Sequence, residues 1–285
     1  MRFKKRYLFL LIPILLFAMC KSELMSFRRS EARTVRYFEK KGLEAPRFYT
    51  IETEGRSIHY THVGDSTKPL VVLVHGSPGS SSAFLSFLAD PRLTEFAQVV
   101  AVDRPGNGYS DFGRSEPSLE KQASALRPIL ERHRAGSAIV LGHSYGGPVV
   151  ARMAMDFPEL VDGVFIVAGS IDPELEPREW WRKPIDHPLL RWIFPTSMVV
   201  ANQEIRPLYE ELQAMMPLWE KVTCPVTVVQ GTNDTLVPSG NADFGVRMSV
   251  NCSRLDCRMV EGGSHFILWT MQDYLVDLLR DMAEL

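Results

Sequence analysis

Residues 138–147 read Ala-Ile-Val-Leu-Gly-His-Ser-Tyr-Gly-Gly, and this decapeptide restricts the fold more than any other stretch of the chain. Its first four residues suit a buried strand, and residues 145–156 have helical character, so a G-x-S-x-G stands at the turn between the two. A strand that reverses into a helix over so few residues brings two backbones together. Side chains two positions from the serine then have no room, which accounts for Gly142 and Gly146, with Gly147 adding further close packing. Ser144 lands at a helix N-terminus, where backbone N–H groups face developing negative charge. A turn of this kind needs a sheet around it.

The remaining sequence supplies that sheet. Short apolar runs at 70–74, 99–102, 138–141, 164–167 and 226–229 are rich in β-branched residues and bounded by Gly, Pro or Asp, as parallel strands buried on both faces would be. Residues 48–53 and 57–63 flank Glu54-Gly55-Arg56, a hairpin signal, and 254–260 reads as an eighth strand. Helical patterns lie at 118–133 and 145–156. The clearest closes the chain, with Ile267, Leu268, Met271, Tyr274, Leu275, Leu278, Leu279 and Met282 at helical spacing. The expected fold class is α/β, a mostly parallel eight-stranded sheet with helices on both faces. Residues 30–42 predict a further helix, capped by Ser30, striped by Ala32, Val35 and Phe38, and ended by Gly42. At 285 residues and 45% hydrophobic content, one domain with an insertion fits better than two domains. Its core is expected at 47–169 and 221–285, after a linker at 20–46. Residues 170–220 break the strand–helix rhythm and carry several prolines, predicting a small helical lid. Within the lid, Trp180, Trp181, Trp192, Phe194 and Met198 are expected to line an apolar substrate pocket or to pack the lid onto the body.

A serine hydroxyl needs a base to attack. His265, in Gly-Gly-Ser-His-Phe between the last strand and the last helix, is placed to lay an imidazole over the strand ends. The imidazole needs an orienting acid, and Asp234, just past the strand at 226–229, completes the order serine, acid, histidine. Asp172, just past the strand at 164–167, is its rival. Two N–H groups must hold the oxyanion: that of Tyr145, next to the nucleophile, and that of Ser77, in His75-Gly76-Ser77-Pro78-Gly79-Ser80 after the strand at 70–74. His75 and His143 read as hydrogen-bonded supports rather than catalysts.

With these residues in place, the chain over 47–285 resembles α/β-hydrolase-fold serine hydrolases of the esterase and lipase branch. Asp103-Arg104-Pro105-Gly106-Asn107-Gly108-Tyr109-Ser110 is similar to the D-x-P-G-x-G-x-S loop of esterase, dehalogenase and epoxide-hydrolase relatives. Dehalogenases and epoxide hydrolases of that group attack with aspartate, whereas this chain has Ser144, so neither activity follows. The resemblance implies ester hydrolysis through an acyl-enzyme on a small molecule, without a cofactor. An amidase or peptidase, a C–C hydrolase, a perhydrolase, and a non-catalytic ligand-binding protein of this fold remain alternatives.

Composition closes off other classes. The net charge is −2 and no basic stripe lies beyond the extreme N-terminus, so no nucleic-acid partner is expected. No metal-ligand spacing is visible. Met1 to Arg6 is a short cationic start, followed by an apolar run at 7–19 of about thirteen residues, short of the roughly twenty that span a bilayer. Residues 1–19 are therefore expected to be a signal sequence. Cys20 at its end resembles the lipidated cysteine of bacterial lipoproteins, although Met19 stands where a small residue is usual. The expectation is an extracytoplasmic protein anchored to the membrane through its N-terminus; an uncleaved anchor, ordinary secretion and a cytosolic protein are the alternatives. Cys224 and Cys257 are expected as buried residues of strands, with a Cys252–Cys257 disulfide as the alternative.

Overall fold

A computed structural model describes residues 23–177 and 180–285. The signal sequence at 1–19 and Cys20 lie outside the described residues. Eight strands form one sheet in the order β1-β2-β4-β3-β5-β6-β7-β8. They are β1 (Arg47–Thr53), β2 (Arg56–Val63), β3 (Leu70–Val74), β4 (Gln98–Val102), β5 (Ala138–His143), β6 (Gly163–Val167), β7 (Val226–Gly231) and β8 (Leu255–Val260). β1 and β2 form the antiparallel hairpin, and β2 runs antiparallel to β4. All other pairings are parallel, which confirms the mostly parallel α/β sheet. β4 and β5, the two strands that follow β3 in the chain, flank it on opposite sides, so crossovers must cover both faces.

Alternation along the strands builds the two cores. Leu70, Val72 and Val74 of β3 point into one cluster with Val100, Val102, Val140, Ile166 and Val228. Val71 and Leu73 point into the other with Val99, Ala101, Leu141, Phe165 and Val229. Each such side chain contributes about 1.5–3 kcal/mol on burial, so a one-residue slip of any central strand would exchange two packed sets at once.

Helix α1 (Glu31–Lys40) precedes the sheet; Ser30 caps it by accepting from the Arg33 N–H. Its buried residues are Thr34 and Phe38, while Ala32, expected on that face, is exposed. Helices α2 (Leu119–His133) and α3 (Gly146–Asp156) cover the first core through Leu126, Ile129, Val149 and Met153. Between β6 and β7 the chain leaves the sheet for short 3₁₀ turns and two helices, α4 (Thr196–Ile205) and α5 (Leu208–Met215). Helix α6 (Gly240–Met248) returns it to β8, and α7 (Gln272–Ala283) covers the second core with Leu275, Val276, Leu279 and Met282.

The cysteine expectations need correction. Cys257 is exposed and Cys224 half-buried, and Cys224, Cys252 and Cys257 are all free thiols. β8 is an edge strand paired only with β7, and alternate charged residues such as Asp256 and Arg258 keep that edge in water. Periodicity identified the strand but could not say that it lay at the rim. Burial pushes the Cys224 thiol up to about 12.

Candidate active site

Four parallel strands end at the same rim of the sheet, and each hands one part of the site to the loop beyond it. β3 leads into His75–Gly79, β5 into Ser144, β7 into Asp234 and β8 into His265. The registers Val74↔Gly142 and Gly231↔Val260 bring these ends level.

Ser144 occupies the turn between β5 and α3 at φ +56°, a left-handed conformation that a residue with a side chain rarely adopts. Its N–H donates to Val167 O at 3.0 Å, and its C=O accepts from Gly147 N at 2.9 Å, so the turn is locked from both sides. The flanking glycines are dictated by contact. A Cβ on Gly142 would lie 2.1 Å from Gly146 O, and one on Gly146 would lie 2.2 Å from Val74 O. The loop after β3 touches the same point, since a Cβ on Gly76 would stand 2.9 Å from Ser144 Cβ.

His265 is buried, and its Nδ1 lies 2.8 Å from Asp234 Oδ2. The Asp234 side chain has no exposure and accepts three more hydrogen bonds, from Leu236 N–H, Val237 N–H and Gln230 Nε2. Burial works against its charge, but the hydrogen bonds from His265 and these amides outweigh it and hold the carboxyl below its ordinary range. An ionised Asp234 makes Nδ1 the donor and leaves Nε2 of the neutral imidazole with its lone pair. Asp172 serves elsewhere: its Oδ1 caps the turn Pro173–Leu175 through Glu174 N–H, and Arg247 lies 3.5 Å from Oδ2.

His143 packs against His265 with ring centroids 4.9 Å apart and donates from Nε2 to His265 O at 3.1 Å. Burial, reinforced by the neighbouring His265, lowers it to about 4, so it stays neutral and props the imidazole above it. His75 is likewise held at about 3, first by burial and then by Arg104. Both histidines sit where supports were expected.

The Ser77 and Tyr145 N–H groups, on either side of Ser144, have no acceptor among the described residues. Such buried or half-buried donors are rare unless something else fills them. Two residues to which the sequence reading gave no role stand behind them. Arg104 and Glu204 form an ion pair at 2.9 Å in which neither side chain has any exposure. Arg104 was visible in its motif loop; Glu204, on α4, carried no periodic signal.

The pocket expectation needs correction at Trp192. It is 57% exposed, with its indole N–H donating to Leu189 O at 2.8 Å, and it forms no wall. Short turns there satisfy the indole N–H locally. Met198 is also exposed and Phe194 half-buried. The Trp180 and Trp181 side chains lie outside the described residues.

A sequence profile described as alpha/beta hydrolase fold matches residues 69–189, the stretch carrying the elbow and the β3 loop. This chain is an α/β-hydrolase-fold protein. An uncharacterised protein of Mycobacterium tuberculosis (strain ATCC 25618 / H37Rv) is 32% identical over 108 residues, 38% of this chain and 31% of that one. Epoxide hydrolase 1 of Caenorhabditis elegans is 30% identical over 136 residues, 44% of this chain and 32% of that one. The α/β-hydrolase match thus spans about a third of the length of these curated relatives. Among solved structures, a membrane phospholipase A described as a novel bacterial virulence factor superposes with a TM-score of 0.65 at 19% identity, covering 99% of this chain and 98% of that one.

Proposed function

We propose that this α/β-hydrolase cleaves a carboxylic ester of a small molecule through an acyl-enzyme on Ser144. The observation that carries the reading is the Asp234–His265 pair, set at the same strand rim as a left-handed serine flanked by two N–H groups without acceptors. His265 Nε2 takes the hydroxyl proton as Ser144 Oγ bonds to the carbonyl carbon. The carbonyl oxygen becomes an oxyanion held by the Ser77 and Tyr145 N–H groups. As the tetrahedral species collapses, the bond to the alcohol breaks and His265 returns the proton to the leaving oxygen. Water repeats the two steps and releases the acid. Epoxide opening, which the name of the nematode relative suggests, is the second reading; a serine at the nucleophile position disfavours it, because Ser144 opening an epoxide would leave an ether that water cannot release, whereas an aspartate would leave a hydrolysable ester.

Purified protein assayed on p-nitrophenyl butyrate, the matching anilide and styrene oxide separates the readings. The expected order is ester well above anilide, with no diol from the epoxide. Diol formation without ester turnover would remove the proposal.

We further propose that the N-terminus holds this enzyme at a membrane outside the cytoplasm, with Cys20 as the attachment point. Support comes from the cationic start and apolar run at 1–19 and from the exposed Leu189, Trp192 and Ile193 of the insertion, which acts as the lid. Likeness along its whole length to a membrane phospholipase A points the same way. Among the described residues no helix is long and apolar enough to cross a bilayer, so anchoring falls to the segment before residue 23. Cys20→Ser is expected to move the protein from the membrane fraction to the soluble one. Unchanged partitioning with residues 1–19 still attached would favour the uncleaved anchor.

A further inference from the structure

The Arg104–Glu204 pair lies beside the site yet takes no part in the chemistry just derived. Every polar hydrogen and lone pair of the pair is engaged. Arg104 donates from Nε to His75 O at 2.9 Å, from Nη1 to Gln122 Oε1 at 2.7 Å and Glu204 Oε1 at 2.9 Å, and from Nη2 to Gly76 O at 3.0 Å and Glu204 Oε2 at 3.1 Å. That uses all five guanidinium donors. Glu204 accepts in addition from Asn107 Nδ2 at 3.0 Å and from Ser77 Oγ at 2.5 Å. Below the guanidinium, the Tyr145 ring centroid is 4.6 Å from Arg104 Cζ. The buried pair therefore touches both residues proposed to hold the oxyanion, Arg104 the Tyr145 ring and Glu204 the Ser77 hydroxyl.

The peptide plane turns these contacts into aim. Gly76 C=O and Ser77 N–H belong to one planar trans unit, so fixing the carbonyl fixes the N–H on the opposite side. Gly76 O is held by Arg104 Nη2 and by His75 Nδ1 at 2.7 Å. His75 Nε2 accepts from Arg104 N–H at 3.1 Å, so Nδ1 carries the proton that it donates to Gly76 O. Glu204 then fixes the Ser77 side chain, the other end of the same unit. All members belong to the core except Glu204, which α4 of the β6–β7 insertion supplies.

We propose that Glu204 is a positioning residue, which locks the Ser77 peptide in the oxyanion-binding orientation and makes the oxyanion site complete only when the insertion is seated. The proposal rests on the serine-hydrolase reading. It differs from a merely structural role in what it predicts for turnover. Ser77→Ala keeps the N–H and removes only the tie to Glu204. Its kcat on p-nitrophenyl butyrate is expected to fall about tenfold, a fraction of the loss from deleting an oxyanion donor. KM is expected to stay at the wild-type value and Tm to fall by only a few degrees, the cost of one unmet lone pair on Glu204. The rate of fluorophosphonate labelling should fall in step with kcat, because that reaction also builds negative charge on an oxygen in the same place. Ser77→Thr, which retains the hydroxyl, should restore both rates, and Glu204→Gln should lower kcat again.

Wild-type kcat and labelling rate in Ser77→Ala overturn the proposal, and so does a loss that threonine does not rescue. Should Glu204→Gln fail to fold, the Ser77 pair decides alone. Failure of the underlying reading looks different: Ser144→Ala would then keep its activity and the wild-type protein would resist the label.

Discussion

Ser144→Ala is expected to abolish ester turnover and fluorophosphonate labelling together, with a fall in kcat on the order of 10⁴-fold or more. The scale follows from what the hydroxyl does. Without Oγ there is no covalent intermediate, and His265 has no proton to take; what remains is binding and the oxyanion donors acting on bulk water. Folding should survive, because Ser144 is anchored through its backbone N–H and C=O rather than its side chain. Alanine is also the smallest residue that keeps a Cβ at φ +56°, so the turn is no more strained than before. The measurement is kcat with active-site titration by the probe, alongside a thermal melt. Undiminished labelling of the variant would move the nucleophile elsewhere. An unlabelled wild-type protein that bound small molecules tightly would instead be a receptor built on this fold.

Asp234→Asn is expected to cost roughly 10⁴-fold in kcat, whereas Asp172→Asn should cost little. The Asp234 carboxylate accepts from His265 Nδ1 and from the Leu236 and Val237 amides at once. An asparagine keeping its oxygen toward those amides must turn its NH₂ toward Nδ1. The imidazole then protonates on Nε2, the nitrogen that has to receive the serine proton, and catalysis stops for lack of the correct tautomer. Asp172 meets Glu174 N–H and the exposed Arg247 instead, so its amide should alter a turn and a half-exposed ion pair without reaching the base. Steady-state kinetics on the two variants decide the matter; the reverse pattern would transfer the role to Asp172.

The fold and the three polar residues of this constellation were legible because each depends on short-range pattern. β-branched runs such as 70–74 and 138–141 can hardly be anything but interior strands, and the glycines at 142 and 146 report a steric contact within five residues. His265 and Asp234 were found through chain order relative to strands, which needs no distances. Other features depend on position in the assembled sheet or on partners far away in sequence. Cys257 lies in a run that reads as a strand, and the position of β8 at the rim, with Asp256 and Arg258 on either side of the thiol, leaves it exposed. Glu204 meets Arg104 across about a hundred residues, and an acidic side chain near the end of an ordinary helix gives no sign that it will be fully buried. Trp192 misled for the opposite reason: its size suggested a wall, while more than half of it is exposed and its indole N–H meets Leu189 O three residues away.

The segment ahead of α1 is strapped down over the body. Ser197 Oγ of α4 donates to Met25 O, Ser80 Oγ donates to Phe27 O, and Arg28 donates to Gly108 O while lying over the Tyr109 and Phe112 rings. Glu23 is three positions on from Cys20, with Lys21 and Ser22 between them, and fully stretched chain advances no more than about 3.6 Å per residue. An acyl group on Cys20 would therefore keep the insertion side of the molecule within roughly a nanometre of the lipid headgroups. That arrangement is a short mount with a fixed heading, not a leash. A catalyst so mounted samples what diffuses within the bilayer plane, and its effective substrate concentration is set in molecules per unit area rather than per unit volume.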